Sequence, residues 1–404
     1  MWKGMRKMNT DKKNNAYIWL MAFTYMISYV TRINYGAVIL AMQEGTGLSA
    51  SALSMALTGS FITYGAGQVI SGFVGDRVSP KKLIFMGLLL TTCMNVLVPL
   101  CPTAGAKLFI WCINGFAQSF MWPPMVRLMT GLFDVETYQK AVVRVSWGSS
   151  FGTILVYLAA PLLITVSGWE SVFFSSAALS GGLALVFLRL CPDIEVRYTK
   201  KETKRGSGGL FSPMMLAIML AIVLMGTLRD GITTWMPSYI DETYHLGSAA
   251  SILTGAVLPA FSILCFQLAH RIHNKWLKNP IFCAAVIFAA GMISSFLLFL
   301  FSGKSAAFSV GFSALLIGSM HGVNLMLISI VPSYFREGGN VSTVSGALNA
   351  CTYIGSAMSA YGMARLSETA GWSATLLLWT AIAFFGTCLC FLAVKPWQKR
   401  YHVR

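Results

Sequence analysis

Charge is scarce in this sequence. Only 11% of the 404 residues are charged, against 56% hydrophobic, where a soluble domain carries about 25% charged residues. That deficit excludes a large water-soluble enzyme and points to a chain whose solvent is lipid. Acidic residues are scarcer still, 14 against 30 Lys and Arg, for a net charge of +16. No nucleophile–base pair, nucleotide-binding loop or metal cluster stands out, so enzyme activity and a resident cofactor are not expected. The nine cysteines lie mostly inside hydrophobic runs. Cys388 and Cys390 come closest in sequence, on different helix faces, so all nine read as small buried hydrophobes. A cleavable leader is also lacking, because the first apolar run is long enough to be a full span.

Long apolar runs are abundant. A helix needs about 20 such residues to cross the hydrocarbon core, and twelve stretches qualify: 16–42, 51–75, 82–101, 106–133, 139–166, 171–191, 211–240, 248–270, 279–302, 306–334, 340–366 and 372–395. The basic excess is topogenic and carries no nucleic-acid signal. It gathers in the N-terminal tail, around Arg77, Lys81 and Lys82, between Arg197 and Arg205, at Arg271, Lys275 and Lys278, and in the tail after Lys395. The loops near Glu44, Glu170 and Asp241–Glu242 have almost none. This alternation puts both termini and the 192–210 loop on the cytoplasmic side, and an even number of spans agrees with that.

The polar stretch CPDIEVRYTKKETKRGSGGLFSP reads as a linker between two halves. The expected organisation is a six-helix bundle over 1–191, a cytoplasmic linker over 192–210 and a second six-helix bundle over 211–404. The halves echo each other. Gly168-Trp169 matches Gly371-Trp372, and Gly152 matches Gly355. Prolines at 123, 124, 161, 237, 259 and 332 are expected to interrupt spans.

The strongest echo is a pair of arginines. Arg32 in YMISYVTRINYGAVIL and Arg229 in IVLMGTLRDGITTWM lie 197 residues apart, each deep in an apolar run. A charge at bilayer depth costs from about 3 to well over 10 kcal/mol and by default marks function. The planar guanidinium suits bidentate contact with phosphate or carboxylate and cannot discharge by deprotonation. Polar stripes share their helices or face them. Tyr25, Tyr29 and Arg32 follow i, i+4, i+7; Tyr64 and Gln68 share a face, as do Asn114, Gln118 and Trp122, and His321 and Asn324. Asp230 complicates the second arginine. On a regular helix the two residues point about 100° apart, but an unwound segment could let them meet. Two permanent cations at bilayer depth predict obligatory exchange, since the empty protein would have to carry them through its closed state.

Two parallel six-helix halves are the architecture of major facilitator transporters, with substrate bound at mid-membrane between them. The run Gly72-Phe-Val-Gly-Asp76-Arg77-Val-Ser-Pro-Lys81-Lys82 resembles that superfamily's signature between helices 2 and 3, in which Gly72, Asp76 and Arg77 would latch one conformation. Its counterpart in the second half is degraded to Gln267, His270 and Arg271. Within the superfamily, YVTRINY (29–35), YGAGQVISGFVGDR (64–77), NGFAQSFMWPP (114–124), LRDGITTWMPSYI (228–240) and TYIGS (352–356) resemble the organophosphate:phosphate antiporters, which include the glycerol-phosphate and hexose-phosphate transporters. The resemblance runs nearly end to end.

It implies an all-α membrane protein of twelve transmembrane helices in two pseudo-symmetric six-helix bundles. It further implies exchange of a phosphorylated small molecule for inorganic phosphate in a bacterial inner membrane, by a monomer. Arg32 and Arg229 would clamp the phosphoryl group. Tyr25, Tyr29, Tyr64, Gln68, Gln118, Trp122, Ser150 and Tyr353 would line the cavity, with His321 where a tyrosine is typical. Gln68 replaces a common lysine, Ile33 a basic residue, Ser150 a histidine and Thr234 an aspartate, so the surrounding charge is lower. Two other readings fit these residues: a proton-coupled carrier of organic carboxylates using Asp230 or His321, and a membrane sensor of sugar phosphates. No appended signalling domain accompanies the latter.

Overall fold

The structure, a computed structural model, describes residues 2–194, 210, 212–245 and 248–402. The linker expected over 192–210 falls mostly outside them. All regular structure among the described residues is helical. The first half comprises α1 (Trp2–Ala37), α2 (Ile39–Thr46), α3 (Ala50–Gly75), α4 (Pro80–Leu100), α5 (Ala104–Gln118), α6 (Trp122–Leu132), α7 (Val135–Ser167) and α8 (Glu170–Leu190). The second comprises α9 (Pro213–Tyr244), α10 (Ser248–Lys275), α11 (Pro280–Phe301), α12 (Ala306–Asn324) and α13 (Val341–Tyr401). Between α12 and α13, Leu325–Ile330 is a π-helix and Val331–Phe335 a 3₁₀-helix.

These elements supply the twelve expected spans. The first combines α1 and α2, and the fourth is broken at Ser119–Met121 into α5 and α6. The tenth is α12 with its π and 3₁₀ extension, and α13 holds the last two, divided at Gly371 with φ 77°. Among the described residues, seven helical segments are long and apolar enough to cross a membrane by length and composition alone. Helix starts follow local chemistry. Ser49, Ser79, Thr103, Asp134, Ser212 and Asn279 each accept a hydrogen bond from a first-turn backbone N–H, satisfying donors that lipid could not.

Prolines also sit within continuous helices. Pro161 and Pro259 lie inside α7 and α10, which continue past them. A proline removes one helical donor, and neighbouring groups in a membrane bundle absorb that loss without ending the helix. Trp122-Pro123-Pro124, by contrast, opens α6, where proline at the first helical positions costs nothing.

Contacts group the chain into two compact units. The first is Met1–Thr199 with Gly339–Gly346, and the second is Lys200–Gly338 with Ala347–Arg404. The same packing device recurs in each. A Cβ on Gly152 of α7 would lie 2.5 Å from the Met26 carbonyl of α1, and one on Gly148 would lie 2.7 Å from that of Ala22. In the second unit a Cβ on Gly355 of α13 would lie 2.0 Å from the Val223 carbonyl of α9, and one on Gly226 would lie 2.3 Å from that of Thr352. Only glycine allows such backbone-to-backbone approach. In each unit the helix so gripped is the one that carries the deep arginine.

Candidate functional site

In the first unit Arg32 sits among aromatic rings. Its guanidinium carbon lies 4.0 Å from the Tyr29 ring centroid and 4.9 Å from that of Tyr64. Tyr25 packs edge-on against Tyr29, with centroids 5.2 Å apart, and against Trp122 of α6 at 4.9 Å. Tyr25, Tyr29, Tyr64, Trp122 and Arg32 are therefore brought together as the helical spacing led one to expect. Cation–π contact of this kind holds a guanidinium in place without using its N–H groups. The Trp122 indole N–H is buried with no hydrogen-bond partner among the described residues, a donor that an oxyanion could satisfy.

Behind Arg32 lies an amide network that sequence reading did not assign. Asn34 Nδ2 donates to Asn95 Oδ1 at 2.7 Å, and the Tyr35 N–H donates to Asn34 Oδ1 at 2.9 Å. Asn95 Nδ2 and Asn114 Nδ2 both donate to the Thr31 carbonyl at 3.2 Å, and Thr91 Oγ1 makes a short bond to Asn114 Oδ1. Gln118 Nε2 donates to the hydroxyls of Thr31 and Thr91, each at 2.9 Å. Gln118, expected as a cavity residue, is engaged with Thr31, the residue before Arg32 on α1. The signal was present in the sequence as asparagines inside apolar spans. Ser150 is buried on α7 and Gln68 on α3.

Gly72 and Asp76 make a second cluster in the same unit. A Cβ on Gly72 would meet the Ser342 carbonyl at 2.7 Å, and one on Gly346 would meet that of Gln68 at 2.2 Å. The start of α13 therefore lies directly on α3. Asp76 accepts from the backbone N–H groups of Ser342 at 2.9 Å and Thr343 at 2.8 Å. Those are first-turn donors with no partner inside their own helix, and the positive end of the helix dipole favours the carboxylate there. Arg127 Nε lies 3.8 Å from Asp76 Oδ1. Burial pushes the Asp76 carboxyl above its ordinary pKa, opposed by the bonds from Thr343 and Ser342 and by the Arg127 charge. Arg77 is turned elsewhere, its Nη1 donating to the Phe73 carbonyl at 2.7 Å with the guanidinium over the Phe73 ring. Arg127 was missed, although it is a basic residue inside an expected span.

In the second unit Asp230 and Arg229 form a pair. Arg229 and Asp230 meet without any unwinding, for both lie within the continuous helix α9. Arg229 Nε donates to Asp230 Oδ1 at 2.7 Å and Nη2 donates to Oδ2 at 3.0 Å. The long, flexible arginine stem covers the 100° between neighbouring helical positions, which Cα directions alone had seemed to forbid. Arg229 Nη1 also donates to Asn324 Oδ1 at 3.3 Å, and the Ser356 hydroxyl makes a short bond to Asp230 Oδ2, with the Thr352 carbonyl as the alternative acceptor for its one proton. His321, one turn before Asn324, packs against the Phe266 ring at 5.2 Å. Tyr353 is half-buried on α13, one turn before Ser356 in the chain order of that helix.

Together, twelve helical spans, a repeated glycine grip and a deep arginine in each half define a membrane transporter scaffold. The chain belongs to the Major Facilitator Superfamily, whose signature it matches over residues 21–360, a multi-pass membrane family of transporters rather than enzymes. Among curated relatives, it is 25% identical to the glycerol-3-phosphate transporter of Bacillus subtilis, over 79% of this chain and 78% of that protein. It is 20% identical to a probable hexose phosphate transport protein of Chlamydia muridarum, over 87% and 84% respectively. It is 22% identical to the membrane sensor protein UhpC of Escherichia coli, over 88% and 86%. These are the organophosphate:phosphate antiporter relatives that the sequence motifs resemble. The crystal structure of the transporter FucP in its outward conformation shares the fold, with a TM-score of 0.76 at 14% identity over 94% of this chain and 99% of that one.

Proposed function

We propose that the protein carries a phosphorylated small organic molecule, of sugar-phosphate or glycerol-phosphate type, across a bacterial inner membrane by alternating access. Inorganic phosphate is the second anion the site accepts and the natural exchange partner. The observation that carries this reading is the matched pair of deep arginines, each surrounded by orienting groups. Arg32 is cradled by Tyr29 and Tyr64, and Arg229 is aligned by Asp230 and Asn324. Phosphoryl oxygens match the arginine fork bidentately. Tyr25, Tyr64, Trp122, Tyr353 and His321 supply rings and polar tips for the organic part. Gly72 and Asp76, with Arg127, act as the conformational latch. In this reading the protein works as a monomer, with both termini in the cytoplasm.

The test is replacement of each arginine by lysine. Lysine keeps the charge and loses the fork, so Arg32→Lys and Arg229→Lys are expected to weaken phosphate binding by at least tenfold while the protein remains folded. Calorimetry on purified protein measures this, and unchanged phosphate affinity in both variants would sink the clamp. A sensor reading draws on the UhpC relatives. Uptake of labelled phosphate into liposomes separates the two, because a sensor would bind without transporting.

A further inference from the structure

We propose that Asp230 is the resident counter-anion of Arg229: it occupies the arginine fork whenever substrate is absent, so the empty protein reorients and net transport needs no returning anion. The inference rests on Arg229 being an anion ligand, as read above.

The geometry of the pair carries it. Two parallel bonds from Nε and Nη2, 2.7 and 3.0 Å long, use the same edge of the guanidinium that a phosphoryl group would grip. The remaining Nη1 already faces Asn324 Oδ1. A substrate oxyanion therefore gains the Nε/Nη2 edge only by displacing Asp230. Since the two residues are chain neighbours on one helix, the pair re-forms without ordering any other element when the ligand leaves, a tethered competitor at high effective concentration. The displaced carboxylate has somewhere to stay. Ser356 on α13 donates to its Oδ2.

The consequence removes Arg229 from the charge argument for obligatory exchange that was drawn from two bare cations. A guanidinium paired with its own carboxylate adds little net charge to the membrane interior, so closure around an empty site no longer buries an uncompensated Arg229. By the same logic Asp230 sets the site's affinity. Each anion that binds must outcompete it, and its carboxylate stays close enough to repel a second negative charge.

The experiment uses the full chain in proteoliposomes loaded with labelled inorganic phosphate. The parent is expected to release phosphate into phosphate-free buffer at a rate within about tenfold of its exchange rate. Asp230→Asn, which keeps a partner for Ser356 but loses the charge, is expected to bind phosphate at least tenfold more tightly. It should still exchange, with net release at least tenfold slower relative to exchange. Asp230→Ser serves the same arms if the asparagine variant is not recovered. A parent that only exchanges, or an Asp230→Asn variant with unchanged affinity and an unchanged ratio of net to exchange flux, overturns the proposal. Should the parent neither bind nor move phosphate, the phosphate reading falls. The inference is then decided without ligand, by maleimide labelling of Ser342→Cys on a cysteine-free background. At least fivefold slower labelling when Asp230→Asn is added supports it, and equal rates overturn it.

Discussion

Asparagine is an expensive residue to bury, and this protein buries three of them beside one arginine. Asn34, Asn95 and Asn114 are fully enclosed, and their amides converge on the carbonyl of Thr31 and on one another. Each such bond contributes only about 1 kcal/mol net, whereas an orphaned partner costs about 1–3 kcal/mol. Asn95→Leu leaves the Asn34 amide without its acceptor and removes one donor from the Thr31 carbonyl. The expected outcome is a loss of about 2 kcal/mol, seen as a lower thermal midpoint in detergent. Phosphate binding should weaken too, because α1 loses the Asn34 anchor just beyond Arg32 and one of its holds on Thr31. The arginines, tyrosines and Trp122 were legible in the sequence because cost and helical spacing single them out. The amide network was not, since its members come from three helices and no spacing rule links Asn34 to Asn95. Likewise the meeting of Arg229 with Asp230 depends on side-chain reach, which a helical wheel does not represent.

At the scale of elements, the helices that carry the arginines are each pressed against a glycine-bearing neighbour. A methyl group on Gly355 would sit 2.0 Å from the Val223 carbonyl, while one on Gly182 in α8 meets nothing within 4 Å. Opposite outcomes follow for the same substitution. Gly355→Ala forces α13 from α9 and is expected to destabilise by about 1–3 kcal/mol. Gly182→Ala relieves the entropic cost of a mid-helix glycine and is expected to stabilise by about 0.5–1 kcal/mol. Thermal unfolding of the two variants beside the parent checks both signs. Element positions were readable from apolar run length alone, and all twelve spans appear. What the runs could not disclose was continuity. Pro161 and Pro259 do not end their helices, and the tenth span changes pitch to π and then 3₁₀, because tertiary packing decides whether a lost backbone bond is absorbed or breaks the helix.

For the whole molecule, the segment Gly339–Gly346 stands out, because the opening of α13 belongs to the first unit while the rest of that helix belongs to the second. Asp76 holds that opening turn through the N–H groups of Ser342 and Thr343. Asp76→Asn keeps an acceptor but loses the attraction to the helix dipole and to Arg127. The expected outcome is a changed rate of transport with phosphate affinity within about twofold of the parent, because the site itself is untouched. Transport and calorimetry on the same preparation test this; an affinity loss matching the rate change would place Asp76 in the binding site instead. Sidedness is a molecular property as well. A cysteine at Lys81 on a cysteine-free background is expected to react with an impermeant maleimide only after the cells are opened, as the basic-residue asymmetry requires.

The glycine grips also define a lever. Met26 lies six residues before Arg32, and Val223 six before Arg229. Arg229 is only about 4.5 Å along its helix from the Gly226–Thr352 contact, whereas Arg32 is about 9 Å from the Met26 contact, at about 1.5 Å per residue. With the fulcrum pinned backbone to backbone, tilting the helix by about 10° carries Arg32 sideways by about 1.5 Å. A hydrogen bond tolerates a spread of only about 0.5 Å between its ordinary limits. Small rotations at a glycine are thus amplified into grasp or release at the anion, with the longer arm in the first half.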